Sequence, residues 1–366
     1  MGQHTAWLQS RSCYALLTLA ALLSGCSLLP SRPAPQPAEP AVTQSMQEEP
    51  PALTARAAAA RTALTQMVNL QEQLYRIAAP ILINNADLCR NHARNLLGFT
   101  AKNRYSYSGE FVDAAQSALG YGDQLEVASV LAGSGAARAG LRKGDRLMAV
   151  EGKSLPSGQN AETQAAAILA PLVGSSQSLN LIVARDGRNQ NLVVPVTRAC
   201  AFRIDIGNAD NINAYSDDQR VMLTRGMVNF AQSDEAIAYV LATEIAHNVL
   251  GHAAVTRSAY TVGSIIDNLV AVRPDTSQLI GTAGVKAMPQ ELDAAADYLA
   301  LYMVARAGYN LDRAHAFWQR LATQYPPTVL NGYTAHHPST AYRLNVIDKT
   351  IAEIKAKQAS RRPLLP

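Results

Sequence analysis

The stretch from Ser233 to His252 constrains this chain more than any other. It reads Ser-Asp-Glu-Ala-Ile-Ala-Tyr-Val-Leu-Ala-Thr-Glu-Ile-Ala-His-Asn-Val-Leu-Gly-His. Ser233 is a suitable N-cap, and Asp234 and Glu235 suit the positive end of the helix dipole. Ile237, Val240, Leu241, Ile245 and Val249 recur at helical spacing, so the stretch should form a helix. Inside it, Thr243 and His247 lie one turn apart on a shared face, with Glu244 beside them.

This is the geometry of H-E-x-x-H, in which two His bind zinc and the Glu is the general base. Here Thr243 stands in place of the first His. That substitution governs most of the functional reading.

A chain of 366 residues suggests two domains, and its apolar content is ample for a core. A net charge of +4 is small for this length and gives no footprint for nucleic acid or a polybasic membrane role. In residues 1–26, Arg11 precedes an apolar run from Tyr14 to Leu23, too short to favour a spanning helix. Leu23-Ser24-Gly25-Cys26 resembles the lipobox of bacterial lipoproteins, which implies lipidation at Cys26. An ordinary secretory signal with a chance Cys is the alternative. Ser27, rather than Asp, leans towards the outer membrane, so the chain is expected on a lipid anchor in the cell envelope, facing the periplasm. Residues 27–51 are rich in Pro, Ala, Gln and Glu and should form a stiff tether.

The body should be α+β: a mainly helical domain with a small edge-strand sheet, and an inserted β-rich domain. Residues 52–116 open the helical part. Leu64, Met67, Leu70, Leu74, Ile77 and Ile81 predict helix from Ala52 towards Leu97, with Pro80 ending or kinking its first segment. Residues 117–198 should be the insert. Val127–Val130 reads as a strand, Gly140-Leu141 ends a short helix, and Gly144-Asp145 turns into the strand Arg146–Val150. A helix over Ala161–Leu172 and a hairpin at Asp186-Gly187 follow. This order resembles a PDZ domain of the bacterial protease type. The resemblance implies that an extended peptide or protein C-terminus adds beside a strand, with Leu119, Gly120, Tyr121 and Gly122 as the carboxylate loop. Cys89 and Cys200 flank the insert, and in an exported protein they are expected to pair. Two free buried thiols are the alternative.

Residues 199–355 should complete the helical domain, with 356–366 as a tail. Asn213-Ala214-Tyr215, the strand Arg220–Thr224 running into Arg225-Gly226, and the central helix resemble the zinc metallopeptidases of the CAAX prenyl protease, HtpX and BepA type. So do Ala305–Tyr309, Phe317–Leu321 and His337-Pro338-Ser339-Thr340 with Arg343. The resemblance implies that the strand ending in Thr-Arg-Gly is a sheet edge that pairs with substrate. It also makes Asn213 a neighbour of the site, places Asp293 at the position of the family's third ligand, a Glu, and gives Asp297 a supporting role. His337 falls near the metal. Residues from Tyr260 to about Pro289 are weakly patterned and read as a lid or loop.

A working zinc site needs three protein ligands and an open position. The sequence offers His247 and the shorter Asp293, while Thr243 offers a poor neutral ligand. His252 would point about 140° away on a continued helix. His336 or His337 could reach in. Glu244 stands where the base belongs. The first reading is a pseudo-peptidase that binds unfolded or extended polypeptide in envelope quality control, with zinc weak or absent. The alternative is an active zinc metalloendopeptidase degrading misfolded envelope proteins. The lipobox gives a direct test: Cys26→Ala should abolish acyl labelling and shift the protein from the membrane to the soluble fraction.

Overall fold

A computed structural model describes residues 55–252, 287–328 and 331–366. Cys26, the tether and most of the expected lid lie outside the described residues. The fold is α+β, as the patterning implies.

Helix α1 (Ala55–Asn84) buries Leu64, Met67, Leu74, Ile77 and Ile81 on one face. It runs through Pro80 instead of stopping there. Proline removes one N–H and crowds the preceding turn, but Ile77, Ala78, Ala79, Ile81 and Leu82 are buried on both sides of it. That packing carries the helix across the lost bond. The helix does stop well short of Leu97. The Asn85 amide donates to the Ile81 carbonyl at 2.8 Å and the Met303 carbonyl at 3.0 Å, closing the helix end. The chain then turns into β1 (Ala93–Leu96), which pairs antiparallel with β8 (Thr197–Cys200). This two-stranded ribbon is the stem of the insert.

The insert comprises β2 (Phe99–Lys102), α2 (Phe111–Leu119), β3 (Glu126–Val130), α3 (Gly135–Arg138), β4 (Arg146–Val150), β5 (Lys153–Ser154), α4 (Ala161–Ser175), β6 (Ser178–Arg185) and β7 (Arg188–Pro195). Its sheet runs in the order β2-β3-β4-β6-β7, with β5 on β4. The insert therefore begins near Phe99, not at 117, because Phe99 pairs with Val130 and Lys102 with Glu126. Phe111 and Ala115 of α2 belong to the core of the helical body. Asp145 shows why the predicted tight turn holds. Its carboxylate accepts the Arg142 N–H at 2.8 Å and Arg185 Nε at 2.6 Å, so a buried charge is fully partnered. Val127, Leu147, Val150, Leu181 and Val183 form the insert's own core, each contributing about 1.5–3 kcal/mol by burial.

In the body, β9 (Arg203–Gly207), β10 (Ala214–Ser216) and β11 (Arg220–Thr224) form a sheet in the order β10-β11-β9. The strand ending in Thr-Arg-Gly, β11, is thus central rather than the edge. Its run Val221-Met222-Leu223 is buried, as in a strand covered on both sides. Ala214 pairs with Leu223, which puts β10 at one end of the sheet among the described residues. Helices α5 (Arg225–Ala231), α6 (Asp234–Val249), α7 (Gln290–Arg306), α8 (Ala314–Gln324), α9 (Gly332–His336) and α10 (Ala341–Ala359) follow. The turn into α5 needs glycine, since a Cβ on Gly226 would lie 2.1 Å from the Asp210 carbonyl oxygen.

Cys89 and Cys200 are disulfide-bonded, with Cα atoms 5.5 Å apart and both side chains buried. The bridge closes the foot of the ribbon, since Cys200 lies opposite Ala93. Closing so long a loop contributes about 4–5 kcal/mol in the chain-entropy model. The double variant Cys89→Ala, Cys200→Ala should unfold at clearly lower denaturant than the parent, while mass spectrometry of the unreduced parent finds the two peptides linked.

Candidate metal centre

The Ser233 hydroxyl accepts the Ala236 N–H at 3.2 Å and caps α6. Every residue from Ala236 to Val249 is buried, so α6 is the axis of the body rather than an amphipathic surface helix. Thr243, Glu244 and His247 are carried on it into the interior. Helix α7 packs along α6 and brings in Asp293 and Asp297, both buried. The segment between α9 and α10 brings in His337.

Asp293 is the hub. His337 Nδ1 lies 2.6 Å from its Oδ1, and His247 Nε2 lies 3.4 Å from the same oxygen, too misaligned for a hydrogen bond. His337 Nε2 faces Glu244 Oε1 at 3.9 Å. His247, Asp293 and His337 form a group whose ligand atoms all fall within 4.8 Å of one another. Three buried atoms around it, His247 Nε2, Asp293 Oδ2 and Glu244 Oε1, have no hydrogen-bond partner among the described residues. Orphaned buried acceptors are costly, and a cation among them removes that cost. Two imidazoles and a carboxylate are a donor set that zinc accepts, with one position left open.

Electrostatics prepare these groups as ligands. His337 is pushed down to about 3 by burial, against the pull of Asp293. It is therefore neutral at neutral pH, the form that binds metal. Burial would raise Asp293, but His337, His247 and Arg343 hold it well below the usual carboxylate range. Glu244 is pushed up by burial, with His247 and Ser216 of β10 pulling back. A raised carboxyl suits a general base.

The structure sorts the predicted residues. Thr243 donates to Asp297 Oδ1 at 3.3 Å and stands outside the ligand group. Asp297 is clamped by Arg343, whose Nη2 donates at 3.0 Å while Nε donates to the other oxygen. Arg343 Nη1 also donates to the His337 carbonyl at 3.1 Å, so one buried guanidinium fixes both the support and the ligand loop. Asn213 accepts the Ala214 N–H through its own side chain at 3.0 Å and shapes the start of β10. His252, expected to point away, instead sits with Nδ1 3.0 Å from His247 Nδ1. Helix α6 ends at Val249, and Gly251 at φ +73° reverses the chain, so helical phase no longer applies. Burial and the neighbouring His247 push His252 down to about 4, which leaves it neutral and able to orient His247 through one shared proton. Sequence reasoning also missed Ser216. The proposed carboxylate loop is displaced as well: Leu119 ends α2, Gly120 to Gly122 follow it, Leu119 and Tyr121 pack on the body's core, and none of the four lines the insert's groove between β2 and α4.

Removing Arg343 should leave Asp297 as an uncompensated buried charge. Arg343→Met is expected to destabilise by about 3–5 kcal/mol in chemical unfolding, and Arg343→Lys should recover only part of it, because an ammonium cannot match the two-oxygen geometry.

Residues 190–351 match peptidase family M48, and residues 126–179 match the PDZ domain. The mitochondrial metalloendopeptidase OMA1 of Schizosaccharomyces pombe is 24% identical over 145 residues, covering 38% of this chain and 43% of that protein. The chain thus spans less than half the length of that relative. Among solved structures, the HtrA3 PDZ domain bound to a phage-derived ligand (FGRWV) is 19% identical, covering 29% of this chain and 88% of that one, with a TM-score of 0.22. The metallopeptidase and PDZ resemblances read in the sequence are borne out: the chain joins a region similar to peptidase family M48 to an inserted unit similar to the PDZ domain.

Proposed function

We propose that this chain is a zinc-dependent endopeptidase with an altered ligand set, His247, Asp293 and His337, acting on extended polypeptide in a bacterial envelope. The observation that supports it is the convergence of orphaned buried atoms on the space beside those three side chains. His337 supplies the donor that Thr243 does not. A zinc ion held there would supply Lewis-acid activation of water and of a carbonyl. Glu244 takes the proton of the attacking water at its unpartnered Oε1 and returns it to the leaving amine. Strand β10, which ends the order of the described sheet, holds the substrate backbone by strand addition and passes it close to Glu244, which Ser216 contacts. Burial of the site excludes bulk water from the reacting groups. The PDZ unit holds a second extended segment, and the lipobox supports a place on the membrane surface.

One observation favours a second reading, the pseudo-peptidase. At 2.6 Å, His337 Nδ1 and Asp293 Oδ1 are closer than the roughly 3.3 Å expected of two ligands on one tetrahedral zinc, and they satisfy each other. Elemental analysis beside a casein-cleavage assay decides between them. The first reading expects about one zinc per chain, chelator-sensitive cleavage abolished by Glu244→Gln, and zinc content lowered at least tenfold by His337→Ala. Zinc-free protein without cleavage establishes the pseudo-peptidase.

A further inference from the structure

A cavity of about 870 Å³ runs between β2 and α4 and shares no lining residue with the metal centre. Strand β2 ends the sheet order, so its outer edge borders this groove. Alanines 165, 166 and 170 of α4 keep the groove open, and Leu125, Leu147 and Leu169 give it an apolar floor. At one end the chain turns through Leu97-Gly98-Phe99. Gly98 has φ +79°, and a Cβ there would lie 2.5 Å from Ser134 Cβ, so the turn requires glycine. The same end meets the C-terminal part of α4, where Asn95 Nδ2 lies 3.5 Å from the Val173 carbonyl. Arg94 and Arg198 of the ribbon line it there, outside the PDZ sheet itself.

The other end carries a side-chain link. Lys102 closes β2, Glu162 opens α4, and Nζ and Oε1 are 3.2 Å apart. Both residues line the groove, so the pair joins its two walls across the path of any extended chain. The two side chains are 39% and 41% exposed, and an ion pair that wet is readily displaced. Among the described residues that line the groove, Arg94, Lys102 and Arg198 face one acid, Glu162, while Glu126, the cross-strand neighbour of Lys102, lies outside the lining. That imbalance complements an anionic partner. A basic side chain could take Glu162, but it would add to three cations already present. An acidic one takes Lys102 and leaves Glu162 to water.

We propose that Lys102 and Glu162 form a displaceable latch, and that this groove selects C-terminal tails with an acidic side chain that draws Lys102 off Glu162. The inference rests on the reading of the PDZ unit as a peptide binder and adds its selectivity. A terminal carboxylate lies at the Gly98 end, within the field of Arg94 and Arg198. At about 3.3 Å per residue, the length of β2 sets the acidic side chain about three residues before the last. Lys102 and Glu162 are therefore specificity residues rather than parts of the apolar floor.

The test is fluorescence anisotropy of the purified full-length protein with labelled ten-residue Ala/Ser peptides. All end in valine with a free carboxylate and carry Asp, Ala or Lys three residues before it. The Asp peptide should bind about tenfold more tightly than the Lys peptide, and 0.5 M salt should shrink that ratio. Lys102→Ala should remove the preference for Asp and, because it also opens the latch, tighten binding of the Ala peptide. Glu162→Gln, which opens the latch, should tighten binding of the Ala peptide. Equal binding of all three peptides by the parent, or a preference that survives Lys102→Ala, overturns the latch and leaves peptide binding standing. Binding of none of them by folded parent or by Glu162→Gln overturns both.

Discussion

The buried pair between Arg343 and Asp297 underlies the candidate site. Arg343 is fully buried, stacks over Trp318 at 4.8 Å, and spends its donors on Asp297 and the His337 carbonyl. Asp297 in turn accepts Thr243 from the central helix. Helices α6, α7 and α10 and the His337 segment are thereby referred to one planar group. Burial works against its charge, but Asp297 and Asp293 outweigh that and keep it ionised. A rigid cation of this kind fixes angles as well as distances, which is what a ligand loop arriving from a distant part of the chain requires.

Around this anchor the interior holds an unusual density of ionisable groups. Glu244, Asp293, His247, His252, His336 and His337 are all buried. The imidazoles of His252 and His337 are driven neutral by burial while Asp293 stays charged. The result is one negative centre among neutral nitrogen donors beside a base whose proton affinity is raised. Such an arrangement is matched to a divalent cation and would be poorly matched to a bare hydrophobic core.

Much of this was legible in the sequence, and the failures have physical causes. Helix α6 could be read from its N-cap and periodicity, and the PDZ turns from Gly144-Asp145 and Asp186-Gly187, because both signals are local. The position of His252 could not, since a single glycine reversal after Val249 replaces helical phase with loop geometry. The choice of His337 over His336 depends on the Arg343 clamp, which joins residues distant in sequence. Pro80 misled because propensity is outweighed where both flanks are buried. The edge of the small sheet was misassigned because strand order is a tertiary fact, although the apolar run in β11 did carry the signal for a central strand.

The ribbon of β1 and β8 has a bearing on how such a chain can change over evolutionary time. Its two strands leave and re-enter the body side by side, with Ala93 opposite Cys200 and the disulfide at their foot. From the body's standpoint the whole PDZ unit is an enlarged hairpin. Its sheet can lengthen, trade its loops or be exchanged for another module without altering the spacing at which the chain returns. Helix α2 and Ala128 of β3, which lean back onto the body's core, and the ion pair from Lys143 to Glu72 of α1 tie the module's history to that of its host.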